Sequence, residues 1–379
     1  MEEKDLEKRL AELRAEKEKI EAQITAISQE QFKKYRATKE LVTHDNPYSR
    51  LYALKKMGVV PNYEEFSQKS AVIIGVGGVG SVLAEMLTRM GIGKLILYDY
   101  DKVELANMNR LFYTPAQVGL TKVEAAKRTL QSIVPEVEIE GYCDNITTPE
   151  NFETLVGRLE SGGLKGSKID ILFCCVDNYA ARMSVSGACN RANTLWLESG
   201  VSEDALSCHI QLMVPGETAC FACLPPLAFL DKNEGKVKRE GVCAASLPTT
   251  MAMTAALLAH TGLKLLLAFE DVACYIGYNS RREFFEKSKL LASPECLDSF
   301  CRQRQKEVAE NKNFFLEERE KIIEEKRKAA KPKPRDPELD QYVFELVEDS
   351  ETKKCDKTVK DSELQELSVD ELAKALQNL

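Results

Sequence analysis

Four glycines in six residues, Gly75-Val76-Gly77-Gly78-Val79-Gly80, stand between an apolar run from Ala71 to Ile74 and a helical pattern from Val79 to Met90. A strand that turns into a helix through bare backbone is a phosphate cradle, because unblocked N–H groups and the positive helix end face the same point. The second apolar run, Lys94 to Tyr98, ends on Asp99. That residue lies near the roughly 20-residue spacing at which a carboxylate meets ribose hydroxyls. Any dinucleotide-binding fold shares these two features, so alone they say only that a nucleotide binds.

The pattern that follows fixes the fold class. β-rich runs at Ala71 to Ile74, Lys94 to Tyr98, Val137 to Tyr142, Ile169 to Cys174, Thr194 to Leu197 and Cys208 to Val214 alternate with helical segments. These segments are Val79 to Met90, Val123 to Ile133, Asn151 to Arg158 and Ala180 to Ala192. The alternation predicts a doubly wound α/β sheet with its ligand at the C-terminal strand ends. Asp99, Asn145 and Asp177 all sit just past such ends. Four regions follow: a helical N-terminal extension over 1–45, the α/β domain over 46–301, a charged helix and linker over 302–335, and a largely disordered tail over 336–379. In the extension, apolar residues at 6, 10, 13, 20, 24 and 27 step like a heptad seam.

A net charge of −8 argues against nucleic acid as a partner. The most apolar stretch, Ala252 to Phe269, is interrupted by His260 and Lys264. No integral membrane segment or signal peptide is therefore expected. Twelve cysteines without a secretory context read as thiols, metal ligands or a nucleophile, and the expected compartment is the cytoplasm.

A dehydrogenase has no need of the residues that come next: Asn107 and Arg110 in Ala-Asn-Met-Asn-Arg, then Lys122. Arg and Lys give charge-assisted donors to phosphate oxygens, as a triphosphate requires. With Tyr48-Ser49-Arg50 before the glycine loop and Cys175-Val176-Asp177-Asn178 after it, the series resembles the adenylating domain of the ubiquitin-like-modifier-activating enzymes and of the bacterial thiamine- and molybdopterin-pathway adenylyltransferases. The resemblance implies a Rossmann-like adenylation domain that uses ATP and Mg²⁺. Gly78, Asp99, Lys122, Asn107 and Arg110 would then bind nucleotide, with Asp177 on magnesium and Asn145 and Asn178 on the adenosine side. Arg50 would reach the phosphates of the other subunit of a homodimer.

Two cysteine pairs, Cys220-x2-Cys223 and Cys296-x4-Cys301, suit a tetrahedral Zn²⁺ site, a reading that the same resemblance supports. The first pair also fits a redox dithiol, but no thioredoxin-like context surrounds it. Cys243 stands apart, with Lys238 and Arg239 just before it and a helical pattern just after. Those neighbours favour the thiolate, and with it a nucleophile.

With one glycine loop and no room for an inserted cysteine domain, the catalytic cysteine must lie within the adenylation domain. That plan, together with Glu198-Ser-Gly-Val-Ser-Glu203 and Lys238-Arg-Glu-Gly-Val-Cys-Ala-Ala-Ser-Leu-Pro-Thr-Thr250, resembles the activating enzymes of the ubiquitin-fold modifier. The resemblance implies thioester formation on Cys243 and delivery to a conjugating enzyme docked on 368–379. It also implies that the strip at 342–347, with Tyr342, Phe344, Leu346 and Val347, binds the modifier and autophagy-related ubiquitin-like proteins by β-augmentation. Three rivals stand beside it: a sulfur-carrier-protein adenylyltransferase, a nicotinamide-dependent oxidoreductase, and a non-catalytic scaffold.

Overall fold

Strands buried on both faces read as near-continuous apolar runs, and Ser70–Ile74 and Lys94–Tyr98 are buried along their whole length, with the polar Ser70 and Lys94 at their starts paired to Asp170 and to Glu138 and Glu140. The two runs form β1 and β2 in a computed structural model that describes residues 3–37, 46–224, 245–312 and 314–329. With β3 (Glu138–Tyr142), β4 (Ile171–Cys174) and β5 (Trp196–Val201) they make the parallel part of the sheet. Three antiparallel strands extend it: β6 (Ser207–Met213), β7 (Tyr275–Asn279) and β8 (Phe284–Ser288). The eight strands run in the order β3-β2-β1-β4-β5-β6-β7-β8. The sheet is thus mixed, and the order reverses between β1 and β4. The strands at 71–74, 94–98 and 169–174 fall where the sequence predicts them. β7 and β8 are additions to that prediction.

Side chains of β1 alternate between two cores, as the strand period demands. Ala71 and Ile73 meet α3 (Gly80–Arg89), α4 (Lys122–Ile133) and α7 (Pro248–Leu267) on one face. Val72 and Ile74 meet α5 (Pro149–Ser161) and α6 (Tyr179–Ala192) on the other. Local chemistry starts these helices. The Thr121 hydroxyl accepts from the Glu124 N–H, and the Thr148 hydroxyl accepts from the Asn151 N–H just before Pro149 at the first helical position. By length and composition α7 is apolar enough to cross a membrane, yet 61% of that window is buried inside the fold. It is a core helix.

The first helix, α1 (Glu3–Ala37), is anchored near its C-terminal end. Gln29 donates to the Pro135 carbonyl at 2.9 Å, and Phe32 meets Tyr48 edge-on with ring centroids 6.2 Å apart. Tyr48 lies just before α2 (Ser49–Lys56) and begins a chain of rings through Tyr52 and Tyr63 to Phe66. Leu13, Ile20, Ile24 and Ile27, all on the heptad seam, are exposed. After β8, α8 (Ser299–Asn311) and α9 (Phe315–Ala329) close the described chain.

Phe173 of β4 is wholly buried, and its ring fills the space left by Gly262 of α7, where an added Cβ would come within 2.7 Å of it. Truncation would leave a void at the centre of the sheet. Phe173→Ala is expected to lower stability by about 3–5 kcal/mol, read from the midpoint of denaturant unfolding.

Candidate functional site

The strand order reverses between β1 and β4, and the C-terminal strand ends at such a switch point are where doubly wound sheets bind ligands. Two segments lie there: the glycine loop after β1 and Cys175 to Asn178 after β4. They nearly touch. Gly75 has φ +89°, and a Cβ there would lie 2.7 Å from the Cys175 carbonyl. A Cβ on Gly80 would overlap the Gly75 carbonyl, so this turn into α3 admits only glycine at both positions.

Asp99 holds the loop from the β2 side. Its carboxylate accepts from the Val76 N–H at 2.8 Å and from the Asp101 N–H at 2.9 Å. The buried Tyr113 hydroxyl donates to the Val76 carbonyl. Burial pushes the Asp99 carboxyl above its ordinary value, against the pull of Lys122 and these two amides. Lys122 opens α4 and is itself buried, with its ammonium 2.6 Å from Asp101 and 3.7 Å from Asp99. Burial raises the Tyr100 hydroxyl too, aided by Asp101, Asp177 and Asp99, so these acids share one neighbourhood. Asp177 is exposed there, and Arg110 reaches to 3.7 Å from a Cβ placed on Gly77.

The three asparagines named from sequence all spend their side-chain oxygen on local structure. Asn107 accepts from the Glu104 N–H at 3.2 Å, Asn145 from the Thr147 N–H at 3.1 Å, and Asn178 caps α6 through the Ala181 N–H at 2.9 Å. Each therefore shapes the loop it stands on. Gly78 lies on the glycine loop under Met251 of α7. Arg50 is exposed on α2. Cys243 lies outside the described residues, as do the motifs at 342–347 and 368–379.

No spacing in the sequence announces the charged network behind the switch point. Arg182 of α6 donates to the carbonyls of Val176 at 3.0 Å and Ser199 at 3.2 Å, bracing the loop that carries Asp177. Its Nε faces Glu198 at 3.3 Å, and His209 of β6 meets the same carboxylate at 2.9 Å. Glu198 is 1% exposed, so it needs both partners. A glutamate inside the otherwise uncharged run Trp196-Leu-Glu-Ser-Gly-Val201 was the available signal.

Cys220, Cys223, Cys296 and Cys301 converge, with all four sulfurs within 4.8 Å of one another. The separations are 3.7 Å for Cys220–Cys223, 3.6 Å for Cys220–Cys296 and 3.8 Å for Cys223–Cys301. A tetrahedron with metal–sulfur bonds of about 2.3 Å has edges of about 3.8 Å, whereas a disulfide requires about 2.05 Å. The four converging sulfurs thus have the dimensions of a four-thiolate metal site. N–H groups already point at the sulfurs: Ser293 donates to Cys223 at 3.3 Å, and Gln305 to Cys301 at 3.5 Å. Asp298 caps α8 beside the cluster and accepts from Asn190 of α6 at 2.7 Å, which fastens the site to the sheet domain.

Residues 48–298 match the ThiF family. The chain is 57% identical over 270 residues to ubiquitin-like modifier-activating enzyme 5 of Caenorhabditis elegans, a stretch covering 71% of this chain and 64% of that protein. For the Caenorhabditis briggsae relative, also 57% identical over 270 residues, the shares are 71% and 62%. The chain thus spans less than two thirds of the length of these two relatives. The Xenopus laevis relative of the same name is 46% identical over 398 residues, covering 98% of this chain and 99% of its own. Crystal structures of E. coli MccB share the fold, with a TM-score of 0.57 at 24% identity over 67% of this chain and 75% of theirs. The chain belongs to the ThiF family, and within it to the group of ubiquitin-like modifier-activating enzyme 5.

Lys122 is the cation that offsets the largely shielded Asp99 carboxylate. In Lys122→Met the folded-state pKa of Asp99 rises further above its unfolded value. The folded state then binds the proton more tightly, so stability is gained as pH falls through the folded pKa and is lacking at neutral pH. Thermal melts are expected to show a clear deficit against wild type at pH 7 that narrows as the pH is lowered. A deficit independent of pH would contradict this electrostatic role.

Proposed function

We propose that the chain is an ATP-dependent activating enzyme for a ubiquitin-like modifier, specifically the ubiquitin-fold modifier. Adenylation in the ThiF family implies ATP and Mg²⁺. The observation that carries the reading is a glycine loop at the order reversal of the sheet, with Asp99 and Lys122 set behind it and Arg110 and Asp177 on its exposed side.

In the first half-reaction the modifier's C-terminal carboxylate attacks the α-phosphorus of ATP. The bond to pyrophosphate breaks, and an acyl adenylate forms. The glycine loop's N–H groups and the start of α3 take the phosphates, Asp99 takes the ribose, and Arg110 and Lys122 offset charge as pyrophosphate leaves. Asp177 would hold Mg²⁺, which when bound offsets further phosphate charge. Asn107, Asn145 and Asn178 keep the loops in place, with Asn145 and Asn178 toward the adenosine. Arg50 acts across a homodimer on the second copy's nucleotide. In the second half-reaction the Cys243 thiolate attacks the acyl carbon, AMP leaves with its C–O bond electrons, and a thioester remains for transfer to the cysteine of a conjugating enzyme. The 368–379 segment would dock that enzyme, and 342–347 would hold the modifier or autophagy-related ubiquitin-like proteins.

The four-cysteine cluster would hold Zn²⁺ as a structural ion, since all four positions are filled by sulfur and none is left for a substrate. Elemental analysis is expected to find about one zinc per chain, and stripping it with a chelator to lower the melting temperature by several degrees.

Incubation with the ubiquitin-fold modifier and ATP is expected to give pyrophosphate exchange and a thiol-sensitive covalent adduct. Cys243→Ala should keep the exchange and lose the adduct. Persistence of the adduct would overturn the nucleophile assignment, and absence of exchange with this modifier would overturn the substrate assignment.

A further inference from the structure

The described chain resumes at Ala245, two residues beyond Cys243, and three hydrogen-bonded tethers hold it there. Two lead to the turn between β5 and β6: the Ala245 N–H donates to the Glu203 carbonyl at 3.0 Å, and the Thr250 hydroxyl to the Ala205 carbonyl at 2.6 Å. The third comes from the nucleotide side. The Asn109 amide donates to the Ser246 hydroxyl at 2.6 Å and to the Ser246 carbonyl at 3.2 Å. Asn109 is not free to wander. Asn107 closes the turn before it onto Glu104, and Arg110 directly after it overhangs Gly77. Further along the same segment Met251 covers the glycine loop, its sulfur occupying the place where a Cβ on Gly78 would stand. Leu247, between Ser246 and Met251, is exposed and makes no such cover.

We propose that Asn109 is a positioning residue for the thioester half-reaction. It ties Ser246, three residues past Cys243, to the loop that carries Arg110, so the return of the cysteine-bearing segment is referenced to the nucleotide loop itself. The inference rests on the reading of Cys243 as nucleophile. The two tethers to the β5–β6 turn fix the segment to the sheet, whereas the Asn109 tether fixes it to the adenylate side. Loss of that bond leaves the glycine loop intact and loosens the approach of the thiolate to the acyl carbon, where small misplacements are costly in rate.

The test is a double-mutant cycle on the intact chain with ATP and the ubiquitin-fold modifier, using Asn109→Ala, Ser246→Ala and the pair. Pyrophosphate exchange reads adenylation, and single-turnover formation of the thiol-sensitive adduct reads the second step. Asn109→Ala is expected to slow adduct formation about five- to tenfold, the effect of one neutral hydrogen bond. Exchange should stay within about twofold, and Ser246→Ala should add little in the Asn109→Ala background. Equal loss of both half-reactions would show that Asn109 acts through Arg110 and would overturn the proposal. So would an unchanged adduct rate, or strictly additive effects. A Cys243→Ala control on the otherwise native chain separates the two readings: if it still forms the thiol-sensitive adduct, the nucleophile assignment fails first and the inference falls with it.

Discussion

The backbone of Val76 is the point on which the nucleotide face depends. Its N–H is held by the Asp99 carboxylate and its carbonyl by the Tyr113 hydroxyl, so both polar groups of one residue are committed. The Asp99 carboxylate is largely shielded from solvent and costly to ionise, and Lys122 makes the ionised form tolerable. The glycine loop keeps its shape through this chain of dependence, from the ammonium to the carboxylate to the backbone. Removing any link would let the turn relax and carry Gly77 and Gly78 out of register with α3.

A second constraint works from the far side of the switch point. Arg182 spans the carbonyls after β4 and along β5 while its charge is answered by the buried Glu198. The loop with Asp177 is therefore braced by a charge pair, and the loop with Val76 by another. Two segments that must nearly touch, Gly75 against Cys175, are each held by ionic groups set back from the point of contact. This leaves the strand ends free for a ligand.

Local patterns were legible in the sequence. The glycine loop and the apolar runs of β1, β2 and β4 depend on neighbours a few residues away. The two cysteine pairs were also legible, because thiols set this close together in sequence commonly share one metal ion. β7 and β8 were not. Tyr275-Ile-Gly-Tyr-Asn279 and Phe284-Phe-Glu-Lys-Ser288 are partly or largely exposed and lack the clean alternation of a strand with one buried face. The Arg182, Glu198 and His209 network was hidden for another reason: its members lie on three elements, and only the folded sheet brings them together. The same holds for Asn109 and Ser246, which are 137 residues apart.

The cysteine cluster has a consequence for the chain between it and α7. Cys223 is fastened at one end and Ala245 at the other, so the intervening stretch joins two fixed points with unequal arms about Cys243. By covalent connectivity alone, position 243 stands two peptide units, or about 7 Å fully extended, from Ala245. The nucleophile proposed there is thus linked to an anchored residue by a far shorter path than to the cysteine cluster, and the cost of closing the longer path depends only weakly on its length.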